Sequence, residues 1–280
     1  MNATARLLEV TRALSEGKLR HLIMGGHAVR HFGVDRNTFD FDFHLSSADA
    51  EDLEARLRRT PLFATSDLQE AISWRRGDFR RFKIGILPNG KEEWLEFWLR
   101  NHLLPPFDEL FSRCEIIVQD SCHLRFLSLP DLIRSKETER ADDWADIRLL
   151  EEILDERHLA NASGGGGHLQ VLSQLRSRRG FERAEAEGLF QELGLVARAL
   201  KLARGPITQA YLLPFCPGAP IDRLVAAIDA TLAGALRQVT PGSVRHLALV
   251  DMPSGWDTSL RPRLRIVRTR KGKVAKLDAL

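Results

Sequence analysis

Residues 22–45 read Leu22-Ile-Met-Gly25-Gly26-His27-Ala-Val-Arg-His31-Phe-Gly33-Val-Asp-Arg36-Asn-Thr38-Phe39-Asp40-Phe41-Asp42-Phe43-His44-Leu45, and this stretch decides the fold. It begins as a short apolar run, breaks at the paired glycines, and continues with Ala28, Val29 and Phe32 at helical spacing until Gly33. The pattern predicts a strand, a tight turn and a short helix. From Phe39 it changes to strict alternation, with Phe39, Phe41 and Phe43 interleaved by Asp40, Asp42 and His44. That is the period of a half-buried strand, so Asp40 and Asp42 point the same way.

Two carboxylates on one face of a strand repel each other, and folding gains nothing from the arrangement. A divalent cation reverses the penalty, because Mg²⁺ prefers carboxylate oxygens together with waters and substrate phosphates. Gly25 and Gly26 supply a second feature. A turn without side chains lets backbone approach a phosphate, and the helix that follows offers unpaired N–H groups and the positive end of its dipole. Phosphate cradle and metal-binding acids within one supersecondary unit describe a nucleotidyltransferase.

The string Gly25-Gly26-x-Ala28, Gly33, Arg36-x-Thr38 and Asp40-x-Asp42 resembles the signature of the DNA polymerase β-type nucleotidyltransferase superfamily, with spacing nearest the abortive-infection, AbiE-type toxin branch. The resemblance implies an α/β (α+β) nucleotidyltransferase fold: a small mixed sheet followed by a mainly helical C-terminal domain. It implies transfer of a nucleoside monophosphate from an NTP to an acceptor hydroxyl, with Mg²⁺ or Mn²⁺ as two ions roughly 3.5–4 Å apart. The acceptor expected is RNA, a tRNA 3′ end in the toxin branch, with a cognate antitoxin protein as a further partner. Two other readings stand beside it: a small-molecule, antibiotic-type nucleotidyltransferase, and a non-catalytic module that binds nucleotide or nucleic acid on the same fold.

Downstream, Phe79–Leu87 and Glu93–Leu99 flank Pro88-Asn89-Gly90 and predict a hairpin. On its return strand Leu95, Phe97 and Leu99 share one face, leaving Trp94, Glu96 and Trp98 on the other. Glu96 is either an edge-strand acid facing water or, as the resemblance implies, the third metal-binding carboxylate beside Asp40 and Asp42. Leu129-Pro130-Asp131 opens a helix with Pro in its first turn. If that helix continues, Lys136, Arg140 and Asp143 share a stripe and Asp146 flanks it. Either this is a surface helix laced by charge pairs, or, as the resemblance implies, Lys136 contacts the triphosphate and Asp143 or Asp146 positions it. Gly25, Gly26, His27, Arg36, Thr38, Lys136 and Asp146 complete the expected nucleotide site.

Elsewhere the sequence predicts an amphipathic helix over 3–16, closed by Gly17, and one over about 48–59 after capping residues Ser46, Ser47 and Asp49. Short strands are expected at Cys114–Val118, Leu124–Leu127 and Val244–Val250, and helices at about 168–178, 181–203 and 220–238. Domains are expected at 1–157 and 169–280, joined by a Gly-rich linker over 158–168. No Lys-Ser/Thr follows those glycines to complete a phosphate-binding Walker motif. His27 and His31 are four apart, but no His-Glu-x-x-His motif accompanies them. His27 is expected close to phosphate or exposed, and His44 beside the acids.

The chain has 280 residues, 44% apolar and 28% charged, ordinary for a globular protein with room for two modest domains. No apolar run nears the roughly 20 residues that span a bilayer, and the first ten residues lack a signal-peptide pattern, so a cytoplasmic protein without a membrane partner is expected. Cys114, Cys122 and Cys216 have no zinc-type spacing and are expected as reduced thiols. The net charge of +3 hides an asymmetry: residues 1–160 hold 23 Lys/Arg against 29 Asp/Glu, and residues 161–280 hold 18 against 9. The tail from Arg261 to Lys276 carries eight Lys/Arg and no acid. It is either solvated or attracted to a nucleic-acid backbone by counterion release.

Overall fold

The computed structural model describes residues 3–203, apart from 50, 65–67, 75–77, 87–89, 102, 139, 163 and 192, together with 208, 212, 264–268 and 274–279. The expected strand at Val244–Val250 and helix at 220–238 lie outside these. Two compact units divide the chain, Met1–Lys136 and Glu137–Leu280.

The first unit is a mixed seven-stranded sheet with helices. Its strands are β1 (His21–Ile23), β2 (Asp40–Leu45), β3 (Gln69–Trp74), β4 (Phe79–Ile86), β5 (Glu92–Trp98), β6 (Glu115–Gln119) and β7 (Cys122–Phe126), in the spatial order β3-β4-β5-β2-β1-β7-β6. β2 runs antiparallel to β1 and parallel to β5, while β1 runs parallel to β7. Helices α1 (Ala3–Glu16), α2 (Gly25–His31), α3 (Leu53–Arg58), α4 (Pro61–Ala64), α5 (Phe107–Ser112) and α6 (Leu129–Ser135) complete it. Alternation does what the sequence implies: Phe41 and Phe43 of β2, Phe82 and Ile84 of β4, and Leu95 and Phe97 of β5 are all buried. The residues between them form the other face of the same three strands. β5 is an interior strand between β4 and β2, so Glu96 is not on a sheet edge.

Two expected helices are shorter than their pattern. The segment over 48–59 becomes a 3-10 turn at Ser47–Asp49 and then α3, because Asp52 adopts a left-handed φ of 54°. Asp49 is held from outside its own turn, by the Arg20 backbone N–H and the Arg56 guanidinium, at 3.3 and 3.2 Å. The helix opened at Leu129 ends at Ser135, with Ser128 as its cap and Lys136 closing it, and the chain is extended at Arg140 before the next helix. Lys136, Arg140 and Asp143 therefore do not share a continuous helical stripe.

The second unit contains α7 (Ala141–Asn161), α8 (Gly164–Leu172), α9 (Arg178–Ala186), α10 (Leu193–Leu202) and a terminal hairpin of β8 (Leu264–Arg268) and β9 (Val274–Ala279). α8 starts within the four glycines, so most of the stretch expected as linker, 158–168, is helical. The single helix expected over 181–203 divides because Gly188 takes a φ of +77° that helical residues cannot share. Leu172, Leu175, Phe181, Val196 and Leu212 form the centre of this unit's apolar core. Part of the basic tail is strand, with β8 and β9 antiparallel and a register shift between Arg265 and Val267.

Candidate active site

Parallel pairing of β2 with β5 sets Asp42 directly opposite Glu96 and Asp40 opposite Trp94. Both strands bury their alternate apolar residues, so the three acids emerge on one side of the sheet. Antiparallel pairing of β4 with β5 then places Arg81 opposite Glu96. The strands thus bring together Asp40, Asp42 and Glu96, the three acids the resemblance implies, with a cation added.

The glycine turn meets the same point. The Met24 backbone N–H donates to the Asp42 carbonyl at 2.9 Å, fixing the end of β1 against β2. Gly25 follows with a φ of +60°, and a Cβ there would lie 1.9 Å from Asp42 Oδ2. A Cβ on Gly26 would lie 2.4 Å from Thr38 Oγ1, and the Gly26 N–H donates to the Asp42 carboxylate. The space left by the missing side chains is thus taken by Asp42 and Thr38. Glycine is required here by the chain's own carboxylate as much as by any anion the turn receives.

Charge is poorly balanced within the cluster. Burial, opposed by a hydrogen bond with Glu96, a backbone N–H and the charge of Lys136, pushes Asp42 above the usual carboxylate range; the neighbouring Asp40 adds to the rise. Burial and then the charge of Asp42 push Glu96 up to about 8, against the opposing pull of Arg81. Two carboxyl groups that hydrogen-bond to each other must hold a proton between them. Arg81 stands with Nε 3.0 Å from Glu96 Oε1 and Nη2 3.9 Å from Asp40 Oδ1, its guanidinium 4.1 Å over the Trp94 ring. The 3.0 Å separation is one of charge, not of a hydrogen bond, because the buried Arg81 Nε has no acceptor aligned with it.

Lys136 is buried in the first unit, and its charge favours the ionised form of Asp42. Arg36 and Thr38 lie on the connection between α2 and β2, where Thr38 Oγ1 makes a long 3.5 Å contact to the Asp40 carbonyl. His27 is buried, not exposed. Its ring is 5% exposed, stacks on Phe41 at 4.9 Å, and is pushed down to about 4 by burial and then by Arg30. His44 is buried too, its Nδ1 2.5 Å from the Trp98 carbonyl and its ring edge-on to Phe107, so it braces β2 against its surroundings. His31 stacks on Phe126 at 3.9 Å. Asp143 and Asp146 are buried on α7 in the second unit, where Thr138 Oγ1 donates to Asp143 at 2.5 Å.

Arg81 was not among the sequence candidates. Its signal was present in the hairpin: with Phe82 and Ile84 inward, Arg81 must share the outward face of Glu96 once the two strands pair.

Among the described residues, no three His, Cys, Asp or Glu side chains are grouped so as to hold a metal ion as they stand. The chemistry of the acids nonetheless suits a hard divalent cation: oxygen donors from two adjacent strands, in a charge state strained by burial and mutual repulsion that a cation relieves. No helix among the described residues is long and apolar enough to cross a membrane.

No family model and no curated protein matches the chain. Similar solved structures include the lincosamide antibiotic adenylyltransferase LnuA with lincomycin bound, at 13% identity and a TM-score of 0.40, covering 53% of this chain and 96% of that one. An antigenic nucleotidyltransferase-like protein from Paracoccidioides brasiliensis shares 15% identity at a TM-score of 0.37, covering 70% and 90%. The antibiotic-resistance factor ANT(2'')-Ia shares 17% at 0.36, covering 57% and 96%. Likenesses this remote carry no inference about substrate or mechanism.

Proposed function

We propose that this protein is a nucleotidyltransferase that moves a nucleoside monophosphate from an NTP to an acceptor hydroxyl. The observation that carries the proposal is the in-register meeting of Asp42 with Glu96, beside Asp40, over the Gly25–Gly26 turn. An acceptor oxygen attacks the α-phosphorus, the bond to the bridging oxygen breaks, and pyrophosphate leaves. Asp40, Asp42 and Glu96 would hold Mg²⁺ or Mn²⁺, expected as two ions, which when bound polarise the attacking and leaving oxygens. Glu96 would either take the acceptor proton or hold the ion nearest the acceptor. The Gly25–Gly26 turn would cradle the β- and γ-phosphates, its Gly26 N–H passing from Asp42 as a cation takes that carboxylate, and buried Lys136 offsets charge near Asp42. Arg36 and Thr38 brace the turn into the catalytic strand or touch the nucleotide.

The acceptor we propose is RNA, with a tRNA 3′ end and the AbiE-type toxin role as the specific form, in a cytoplasmic setting and with an antitoxin as partner. Its support is the charge split: the second half of the chain holds 18 Lys/Arg against 9 Asp/Glu. The domain assignment is proposed likewise, with catalysis in the N-terminal part and acceptor binding in the C-terminal part.

Incubation with Mg²⁺, each α-labelled NTP and total RNA tests the activity. Label is expected on RNA with the wild type and not with Asp42→Asn. Label on a small metabolite instead moves the acceptor to the antibiotic-type class, and no label on any acceptor leaves a binding module.

A further inference from the structure

Among the described residues, Arg81 is the one cation built into the acid cluster from a neighbouring strand, and its grip differs from that of three other arginines of the unit that pair with carboxylates. Arg6 holds Glu93 with Nε and Nη2 at 3.1 and 2.7 Å, Arg80 holds Glu70 at 2.8 and 2.8 Å, and Arg113 holds Asp131 at 2.8 and 2.8 Å. Those are forked, charge-assisted hydrogen bonds, the strongest contact a guanidinium makes. Arg81 has the charge without the fork: it is 3.0 Å from Glu96 and 3.9 Å from Asp40, and its buried Nε lacks an aligned acceptor. A quarter of its side chain is exposed, at 26%, and the Trp94 face gives the guanidinium a second attachment that does not depend on the acids.

We infer that Arg81 is a tethered countercharge, which neutralises the acid cluster while no metal is bound and yields that place when a divalent cation arrives. The inference rests on the proposed metal role of Asp40, Asp42 and Glu96. Its physical content is competition. A guanidinium beside two of the three acids stabilises the metal-free protein and must be moved or outweighed before an ion gains their oxygens, so it sets a threshold concentration for the ion. Stacking on Trp94 lowers the cost of release, since the cation keeps a partner once the carboxylates are withdrawn. Loose geometry is what such a role requires. A forked pair of the Arg80 type would hold the acids against any ordinary concentration of metal.

The test is Mn²⁺ binding to the full chain, followed by electron paramagnetic resonance of the free ion, with thermal melting alongside, for wild type, Arg81→Gln and Asp42→Asn. Arg81→Gln is expected to bind Mn²⁺ about tenfold more tightly, within the range usual for coupled sites. It is expected to melt below wild type without metal and to regain that difference as Mn²⁺ is added. Equal or weaker Mn²⁺ binding by a folded Arg81→Gln protein overturns the inference, as does a melting deficit that Mn²⁺ leaves unchanged, which marks a purely structural arginine. If wild type binds no more Mn²⁺ than Asp42→Asn, and Arg81→Gln binds none either, the metal role of the acids falls, and the inference with it.

Discussion

Asp42 with Glu96 in the first unit and Glu151 with Asp155 in the second are both pairs of acids that burial pushes above the usual carboxylate range, and each has an arginine beside it. Their surroundings differ in what the chain offers them. Asp155 Oδ2 accepts from the Arg176 and Ser177 backbone N–H groups at 3.0 and 2.7 Å and from Ser177 Oγ at 2.6 Å. Ser177 Oγ in turn accepts from the Gly180 N–H at 2.9 Å, capping α9. Glu151 is held by the charge of Arg176 at 2.9 Å alone, with no donor among the described residues aligned on either of its buried oxygens, so the supply of donors is a property of Asp155. Asp42 has one backbone donor, at Gly26, and the charge of Lys136, set against two neighbouring acids, Glu96 and Asp40. Donors supplied by helix starts mark a carboxylate that braces the fold. Acids left to each other destabilise the fold unless a cation compensates them, and that difference separates a site from a brace when burial and proton affinity do not.

Removing the central acid of each pair should break the symmetry most sharply. Asp42→Asn is expected to lower nucleotidyl transfer on the order of 10³-fold, the scale of losing one electrostatic stabiliser at a reacting centre. Its melting should be unchanged or raised, because repulsion and a buried charge are removed together. Asp155→Ala should do the reverse. It strands three donors and leaves Ser177, the cap of α9, without its anchor, at a cost of about 2–4 kcal/mol in chemical denaturation, with transfer per folded molecule retained. A stability loss for Asp42→Asn as large as that for Asp155→Ala would make both acids braces.

A glycine abuts each acid, and the two glycines offer a smaller version of the same contrast. Gly25→Ala adds a Cβ 1.9 Å from Asp42 Oδ2 at a φ of +60°, so about 1–2 kcal/mol of backbone strain accompanies a displaced carboxylate. Transfer should fall nearly as far as with Asp42→Asn. Gly180→Ala adds a Cβ 2.4 Å from Asp155 Oδ2, but on a helix that favours alanine by about 0.5–1 kcal/mol. A net loss of about 1 kcal/mol in denaturant midpoint is expected, with no change in transfer. Loss of activity in Gly180→Ala would tie the second unit's brace to catalysis.

Period-2 alternation placed Asp40, Asp42 and Glu96 on their strands, because a strand's faces are set by neighbours in sequence and need no knowledge of pairing. The hairpin of β4 and β5 was legible for the same reason, along with the turn at Gly25–Gly26. Arg81 was not, since its meeting with Glu96 depends on a register that includes a shift between Lys83 and Gly85. An exposed His27 was one expectation, and it failed because helical spacing says which residues share a face and not which face the sheet covers; Phe41 covers this one. Glu151 and Asp155 stand four apart as like charges, and nothing local announces that the donors to Asp155 come from residues 176 and 177. The end of α6 at Ser135 was hidden by a charged stretch with good helix-forming residues on both sides of the break.

The smallest expected effect is the dependence of stability on pH. Glu151 is pushed up to about 7 by burial, opposed by Arg176, and Asp155 to about 6 by burial, opposed by Ser177 and the backbone N–H groups. Unfolded, both titrate near ordinary carboxylate values of about 4. Between about pH 4 and 7 the folded protein therefore holds more protons than the unfolded chain, and stability contributed by these groups falls as pH rises through that window. Below about pH 4 the contribution is fully present, and above about 7 it has been lost. Glu96, at about 8, has the same sign and extends the decline by a further unit. Thermal melts of wild type and Glu151→Gln between pH 5 and 8 separate the pairs. The substitution should reduce the slope below pH 7 and leave the segment from 7 to 8 intact, whereas Mg²⁺ should remove the upper segment together with Glu96's share of the slope below it. A slope untouched by Glu151→Gln would show that Arg176 keeps Glu151 ionised throughout and that charge alone suffices to hold a buried acid in this fold.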